Sequence, residues 1–287
     1  MTAQHAPLVV DTHNHYWVYG ASDLYWLEGL GPAYDLMRRT YLPSDLKPHM
    51  DAVGVQRSVI VQAAHAWRDQ LEYLDWCTQY PYVAAVIAWI DLTAPDAGDK
   101  LDRLIENPSF RGVRAGAEDQ PDPGWLLRDD VRRGIREVTK RGLCLDLLAR
   151  TPHLGAVARI AAENDGAKLI LDHLAKPPLA SADLSGWRRG VLALKPYRHL
   201  RLKISGLLTE TRGEPTTARI QPAVDTVLDN FGVERLIWGS DWPVALLAAS
   251  YEDSFHRTTA ALARLSATER AAVLGGNAQA FYGVNGG

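Results

Sequence analysis

The residues best suited to chemistry stand at the ends of short apolar runs. Asp11, His13 and His15 occur in VDTHNHYW. A strand repeats every two residues, so this spacing predicts that all three side chains point the same way. Imidazole nitrogen is a common zinc ligand, and His13 and His15 would be close enough to share one ion with a third group. Two loop histidines without a ligand is the plainer reading. Asp241 follows the apolar run in LIWGSDWPV. A carboxylate there can bind a metal, or carry a proton from water to a leaving group. The same residues also suit a helix start, with Ser240 or Asp241 as cap ahead of Pro243. His173, in KLILDHLAKPP, closes another run and reads as a ligand or substrate contact, or as a structural histidine. Arg114 in FRGVRAG and Lys203 in LRLKISG are cations within apolar runs. They would meet polar or anionic substrate groups, or form a buried ion pair, for example with Asp146. Trp17, Trp89 and Trp242 are candidate apolar walls for a ring, and equally candidates for the core.

These residues need a scaffold that brings distant run ends together. Eight candidate strands are legible: Leu8–Val10, Ser58–Gln62, Val83–Trp89, Gly112–Arg114, Leu143–Leu147, Lys168–Asp172, Leu200–Ile204 and Leu236–Trp238. Amphipathic segments lie between them. In Asp129–Arg141, Val131, Ile135 and Val138 fall at helical spacing. Gln221–Phe231 carries Pro222 near its start, and Ala156–Asn164 and Glu252–Leu265 are further helices. Strands alternating with helices imply a parallel sheet. Eight units in 287 residues, with no break in composition, imply one (β/α)8 TIM barrel spanning 1–287 as a single domain. An open doubly wound sheet is the alternative, but no GxGxxG turn follows the first strand. Active-site loops of a barrel follow the strand ends, and the Tyr16–Met50 segment after strand one has the length of a lid.

Other classes are excluded on composition and motif. A net charge of −3 gives no nucleic-acid surface. There is no GxxxxGK[ST] phosphate loop and no GxSxG elbow. Strand four lacks a lysine to bridge two metals and strand five lacks a histidine, so one divalent ion at most is expected. Cys77 and Cys144 lie far apart in apolar stretches and read as reduced thiols. The N-terminus lacks a leader pattern, and no apolar run reaches the roughly 18 residues of a membrane helix. The expected location is the cytoplasm, with a small-molecule partner and no membrane or nucleic-acid partner. Assembly as a homo-oligomer is left open.

VDTHNHYW, FRGVR, LILDHLAKPP, RLKISGL, RLIWGSDWPV followed by LAASYE, and GGNAQAFYG together resemble the amidohydrolase-related lactonases. The resemblance runs from Val10 to about Gly283. It implies an amidohydrolase-type barrel that opens lactones, with the L-fuconolactonase-like, rhamnonolactonase-like and pyrone-dicarboxylate branches as its nearest forms. It implies a site built from His13, His15, His173 and Asp241. Members differ over metal: some use zinc or a similar ion, and the pyrone-dicarboxylate enzyme uses none. Relatives often read GVRH where this chain has Val113-Arg114-Ala115, which removes a histidine from the strand-four mouth. The expected substrate is a sugar-acid lactone. A carboxylated lactone, a non-oxidative decarboxylation on the same scaffold and a non-catalytic sugar-acid binding protein are the alternatives.

Overall fold

The computed structural model describes residues 7–284. The leader expectation falls partly on residues 1–6, which lie outside the described residues, as do 285–287. Eight parallel strands pair in chain order: β1 Val10–Asn14, β2 Arg57–Val61, β3 Val83–Ala88, β4 Phe110–Gly116, β5 Cys144–Leu148, β6 Leu169–Leu171, β7 Leu200–Ile204 and β8 Leu236–Trp238. A helix follows each strand in turn: α1 Pro43–Ala52, α2 Trp67–Gln79, α3 Ala97–Ile105, α4 Asp129–Thr139, α5 Leu154–Glu163, α6 Ser185–Leu192, α7 Thr217–Phe231 and α8 Tyr251–Ala261. Two short helices, α9 Ala267–Ala271 and α10 Asn277–Tyr282, end the chain. The sheet closes just past β8, where Asp241 N–H donates to the His13 carbonyl and His15 N–H donates to the Trp242 carbonyl, both at 2.7 Å. The architecture is the expected (β/α)8 barrel.

Two apolar layers hold it. The larger lies between sheet and helices and includes Val131, Ile135 and Val138 of α4. The smaller fills the barrel interior with Val10, Val59, Val61, Ala85, Ile87, Ile170 and Ile237. Phe281, Tyr282 and Val284 join that interior layer. Cys144 Sγ donates to the Phe281 carbonyl and Arg111 Nε to the Tyr282 carbonyl, so the chain end seals the barrel where the strands begin.

Two sequence expectations shift. The first strand was expected at Leu8–Val10 but runs on through the polar residues Asp11–Asn14. Each of these polar groups is buried, so strand propensity gives way to specific hydrogen bonds. Pro222 lies inside α7, not at its start. The helix begins earlier, at Thr217, because the Thr216 side chain accepts a bond from Arg219 N–H.

Arg235, almost fully buried, ties the α6–β7 turn to the start of β8. Its guanidinium donates to the carbonyls of Leu200 (2.9 Å), Lys195 (3.0 Å) and Tyr197 (2.8 Å), and it lies 4.6 Å above the Phe231 ring. Replacing it with methionine keeps the stem and leaves those carbonyls unpaired. Chemical unfolding of Arg235→Met should show a loss of about 2–4 kcal/mol. A loss below about 0.5 kcal/mol, the ordinary range for a surface change, would remove Arg235 from this role.

Candidate functional site

Register places the chemistry. Between Asp11 and Asn14, β1 advances three residues while its β2 partners advance two, from Ser58 to Ile60. A bulge of this kind turns side chains to the other face. Asp11 therefore does not share a direction with the histidines, contrary to the period-two expectation. Its carboxylate accepts from Ser240 N–H (2.8 Å), Ser240 Oγ (2.6 Å) and Tyr251 OH (3.2 Å). Beyond the bulge, His13 and His15 turn toward the barrel mouth. Gly239 permits this approach, since a Cβ there would lie 2.6 Å from His13 Cβ.

His13, His15, His173 and Asp241 converge. Asp241 Oδ1 lies 3.2 Å from His15 Nε2, 3.7 Å from His13 Nε2 and 3.9 Å from His173 Nε2. Ring centroids of His13 lie 4.9 Å from His15 and 4.4 Å from His173. Burial opposes ionisation of Asp241, but His173, His15 and His13 outweigh it and hold the carboxyl well below the usual carboxylate range. Burial holds His173 and His13 below the usual imidazole range. The site thus sets an ionised carboxylate against His13 and His173 rings that burial biases toward the neutral form.

That arrangement suits a cation. His15 Nδ1 lies 2.7 Å from the Val61 carbonyl, which can only accept, so Nδ1 carries the proton. Its Nε2 lies 3.2 Å from Asp241 Oδ1, where a protonated ring donates to the carboxylate and a neutral ring offers its lone pair to a shared cation. His13 Nε2 is buried without a hydrogen-bond partner, while Nδ1 lies 3.2 Å from Lys203 Nζ and 3.4 Å from Asp172 Oδ1. One ligand atom each from His13, His15 and Asp241 falls within 4.8 Å of the others.

The loops carrying these groups are conformationally expensive. His173, Leu174, Ala175 and Lys176 all take left-handed φ between 48° and 58°, and Asp241 has φ 67°. Such backbone costs roughly 1–2 kcal/mol per residue outside glycine. Specific bonds hold it. Ser205 Oγ lies 2.9 Å from His173 Nδ1, and Trp187 Nε1 donates to the Leu174 carbonyl at 2.6 Å. Gly206, with φ 59°, packs directly beneath, where a Cβ would sit 2.6 Å from Asp241 Oδ2 and 2.8 Å from His173 Nδ1.

A cavity of about 550 Å³ opens above, lined by His15, His173, Asp241 and Arg114. Its aromatic wall comes from Tyr25, Trp26 and Tyr34 in the loop after β1, and its charged wall from Glu118, Arg150, Lys176 and Glu210 after β4 to β7. Arg114 is buried, donates to the Gln62 carbonyl, and keeps Nε without a partner.

Other expected substrate contacts lie elsewhere. Lys203 has no exposure and bonds Asp146 Oδ2 (2.6 Å) and Asp172 Oδ1 (3.0 Å) beneath the site. It follows the ion-pair reading, because a barrel-interior ammonium needs carboxylates more than it can use a ligand. Trp17 is core, donating to the Arg39 carbonyl and packing on Tyr41 and Trp26. Trp242 is core against Tyr16 and Tyr41. Trp89 stacks on His65 at 4.5 Å and is not among the cavity-lining residues. Tyr25, Trp26 and Tyr34 supply the walls instead. Their signal in the sequence was only the length and aromatic content of the Tyr16–Met50 loop. Glu118, Arg150 and Glu210 had no motif to single them out.

The Lys203 cluster predicts a pH-dependent cost. Burial raises Asp146 despite Lys203, whereas Lys203 and His13 overcome burial and hold Asp172 low. Lys203→Met leaves both carboxylates buried without their cation, a loss of about 3–5 kcal/mol at pH 7. Without Lys203 the folded-state carboxyls titrate higher than in the unfolded chain, so the loss should shrink as pH falls toward 5. Unfolding curves at several pH values measure this. A cost that is small or independent of pH would contradict the buried-pair assignment.

The chain is 34% identical over 281 residues to the L-fucono-1,5-lactonase of Burkholderia ambifaria, covering 96% of each. It is 36% identical over 290 residues to the L-fucono-1,5-lactonase of Burkholderia multivorans, again covering 96% of each. A crystal structure of an amidohydrolase from Burkholderia multivorans with bound zinc superposes with a TM-score of 0.89 at 35% identity, over 97% of this chain and all of that one. Residues 10–284 match the family described as Amidohydrolase, and the chain belongs to that family.

Proposed function

We propose that the chain hydrolyses a sugar-acid lactone, using one divalent ion held by His13, His15 and Asp241, with zinc the first choice. The observation that carries this is the orphaned His13 Nε2 and the close approach of His15 Nε2, both facing an ionised Asp241 at the floor of an open cavity. The two Burkholderia relatives named as L-fucono-1,5-lactonases support the substrate class, and the zinc-bound relative supports the ion.

The chemistry such an ion supplies when bound is a water of lowered pKa, near 7, and polarisation of a carbonyl oxygen. The chain's own groups do the rest. Asp241 takes a proton as the water oxygen bonds to the lactone carbonyl carbon. It returns that proton to the ring oxygen as the carbon–oxygen bond breaks, and a hydroxy acid results. Arg114, which lines the cavity, stabilises the negative charge that develops on the carbonyl oxygen. His173, fixed by Ser205, holds its Nε2 toward the same space. The aromatic wall of Tyr25, Trp26 and Tyr34 covers the ring face and sheds water.

Acid release from a panel of aldonolactones, with and without chelator, tests the whole reading. Turnover should fall on chelation and return with added zinc. An enzyme stripped of metal that opens lactones at full rate would leave the histidines as substrate contacts only. Asp241→Asn should lower kcat by about 10²–10⁴-fold with the fold intact by circular dichroism. Near-normal turnover in that variant would reduce Asp241 to a helix-capping residue.

A further inference from the structure

The charged wall of the cavity is internally neutralised. Glu118 follows β4, Arg150 follows β5, Lys176 ends the left-handed turn after β6, and Glu210 follows β7. Glu118 Oε1 lies 2.8 Å from Arg150 Nε and 2.7 Å from its Nη2. The same carboxylate reaches Lys176 Nζ at 2.6 Å through Oε2. Glu210 Oε2 adds a longer contact to Arg150 Nη1, at 3.4 Å. Two cations are thus matched by two carboxylates, with Glu118 touching both cations. Burial opposes charge on Glu118, but Lys176 and Arg150 hold its carboxyl below the usual range, so it is ionised.

Resting on the lactonase reading, we infer that Glu118 is a specificity-determining residue: by occupying Arg150 and Lys176 it fits the cavity to a neutral, hydroxyl-bearing ring and excludes rings that carry carboxylates. A ligand carboxylate entering this wall meets cations already bonded and two like charges beside them. Ligand hydroxyls face no such barrier, since they donate to Glu118 or Glu210 and accept from Arg150 or Lys176. Arg114 has no carboxylate within ion-pair distance among the described residues, but it is buried and its guanidinium donates to the Gln62 carbonyl. Arg212 is exposed at the rim.

The test compares wild type with Glu118→Gln, which keeps the shape and removes the charge, and with Glu118→Asp, which keeps the charge. Two substrates are assayed, an unsubstituted aldono-1,5-lactone and 2-pyrone-4,6-dicarboxylate. Binding of isophthalate, an unreactive planar dicarboxylate, is measured by calorimetry. In Glu118→Gln, the ratio of kcat/KM for the dicarboxylate over the neutral lactone should rise roughly tenfold or more. Isophthalate should bind tighter by a similar factor, with an advantage that weakens as salt rises. Glu118→Asp should keep the wild-type preference. Glu210→Gln, which loosens Arg150 alone, should shift both readouts the same way by less, and decides the matter if Glu118→Gln does not fold. A ratio and an isophthalate affinity within about twofold of wild type in the folded Gln variant would overturn the inference. The calorimetric arm needs no turnover. A wild type that opens neither lactone would therefore sink the lactonase reading, while the isophthalate shift still decides the role of Glu118.

Discussion

The carboxylate of Asp11 accepts hydrogen bonds from the Ser240 amide, the Ser240 hydroxyl and the Tyr251 hydroxyl, across the seam where the last strand meets the first. Burial pushes its pKa up to about 6, and bonds from Ser240, His13 and Tyr251 keep it from rising further, so it is charged at neutral pH. A buried charge that must be satisfied tolerates little slack. It fixes Ser240, and through Ser240 the backbone of Asp241. The adjacent bulge turns His13 and His15 to the opposite face. The seam thus sets the distances between the strand-one histidines and the strand-eight carboxylate.

Below the seam, the barrel interior changes from aliphatic to ionic over one layer of side chains. Lys203 stands between Asp146 and Asp172, and Tyr282 from the C-terminal helix donates to Asp146 at 3.1 Å. One ammonium against two carboxylates leaves the layer with excess negative charge. Asp172 passes that charge upward to His13 Nδ1, and Asp241 adds another carboxylate above. A divalent cation at the ring of histidines would offset the surplus. That balance accords with the ion proposed at His13, His15 and Asp241.

The barrel was legible because strand and helix periods alternate eight times, and because the chemical residues lie where strands end. Position along a strand says which end of the barrel a residue approaches, which is why His13, His15, His173 and Asp241 could be grouped. It does not say how deep a side chain sits. Lys203 and Arg114 occupy similar places in their strands, yet one is sealed in the ionic layer and the other reaches the cavity. The difference lies in neighbours, Asp146 and Asp172 for Lys203 and the Gln62 carbonyl for Arg114, which are remote in sequence. The tryptophans were ambiguous for the same reason: an indole suits core and pocket alike. The bulge in β1 left no mark in the pattern, since a run of polar residues looks the same with or without one extra step.

Strain links these layers to function. Four consecutive left-handed residues after β6, a left-handed Asp241 and a left-handed Gly206 meet around one point. Non-glycine residues persist in this conformation only when their surroundings over-determine them. Here the determinants come from several sides: Ser205 holds the His173 ring, Trp187 holds the Leu174 carbonyl, and Glu118 holds the Lys176 ammonium. Glu118 therefore both sets the charge of the cavity wall and anchors the turn that presents His173. A site assembled this way gains rigidity without a regular element beneath it. Its selectivity and its geometry share a residue, so a change in one carries into the other. The loop after β1, by contrast, reaches only the neighbour of Glu118 by this route, where the Tyr25 hydroxyl donates to Asp119 at 2.6 Å. Substrate preference can vary on that aromatic wall with less disturbance to His173, whereas variation on the charged wall must be compensated across β4 to β7.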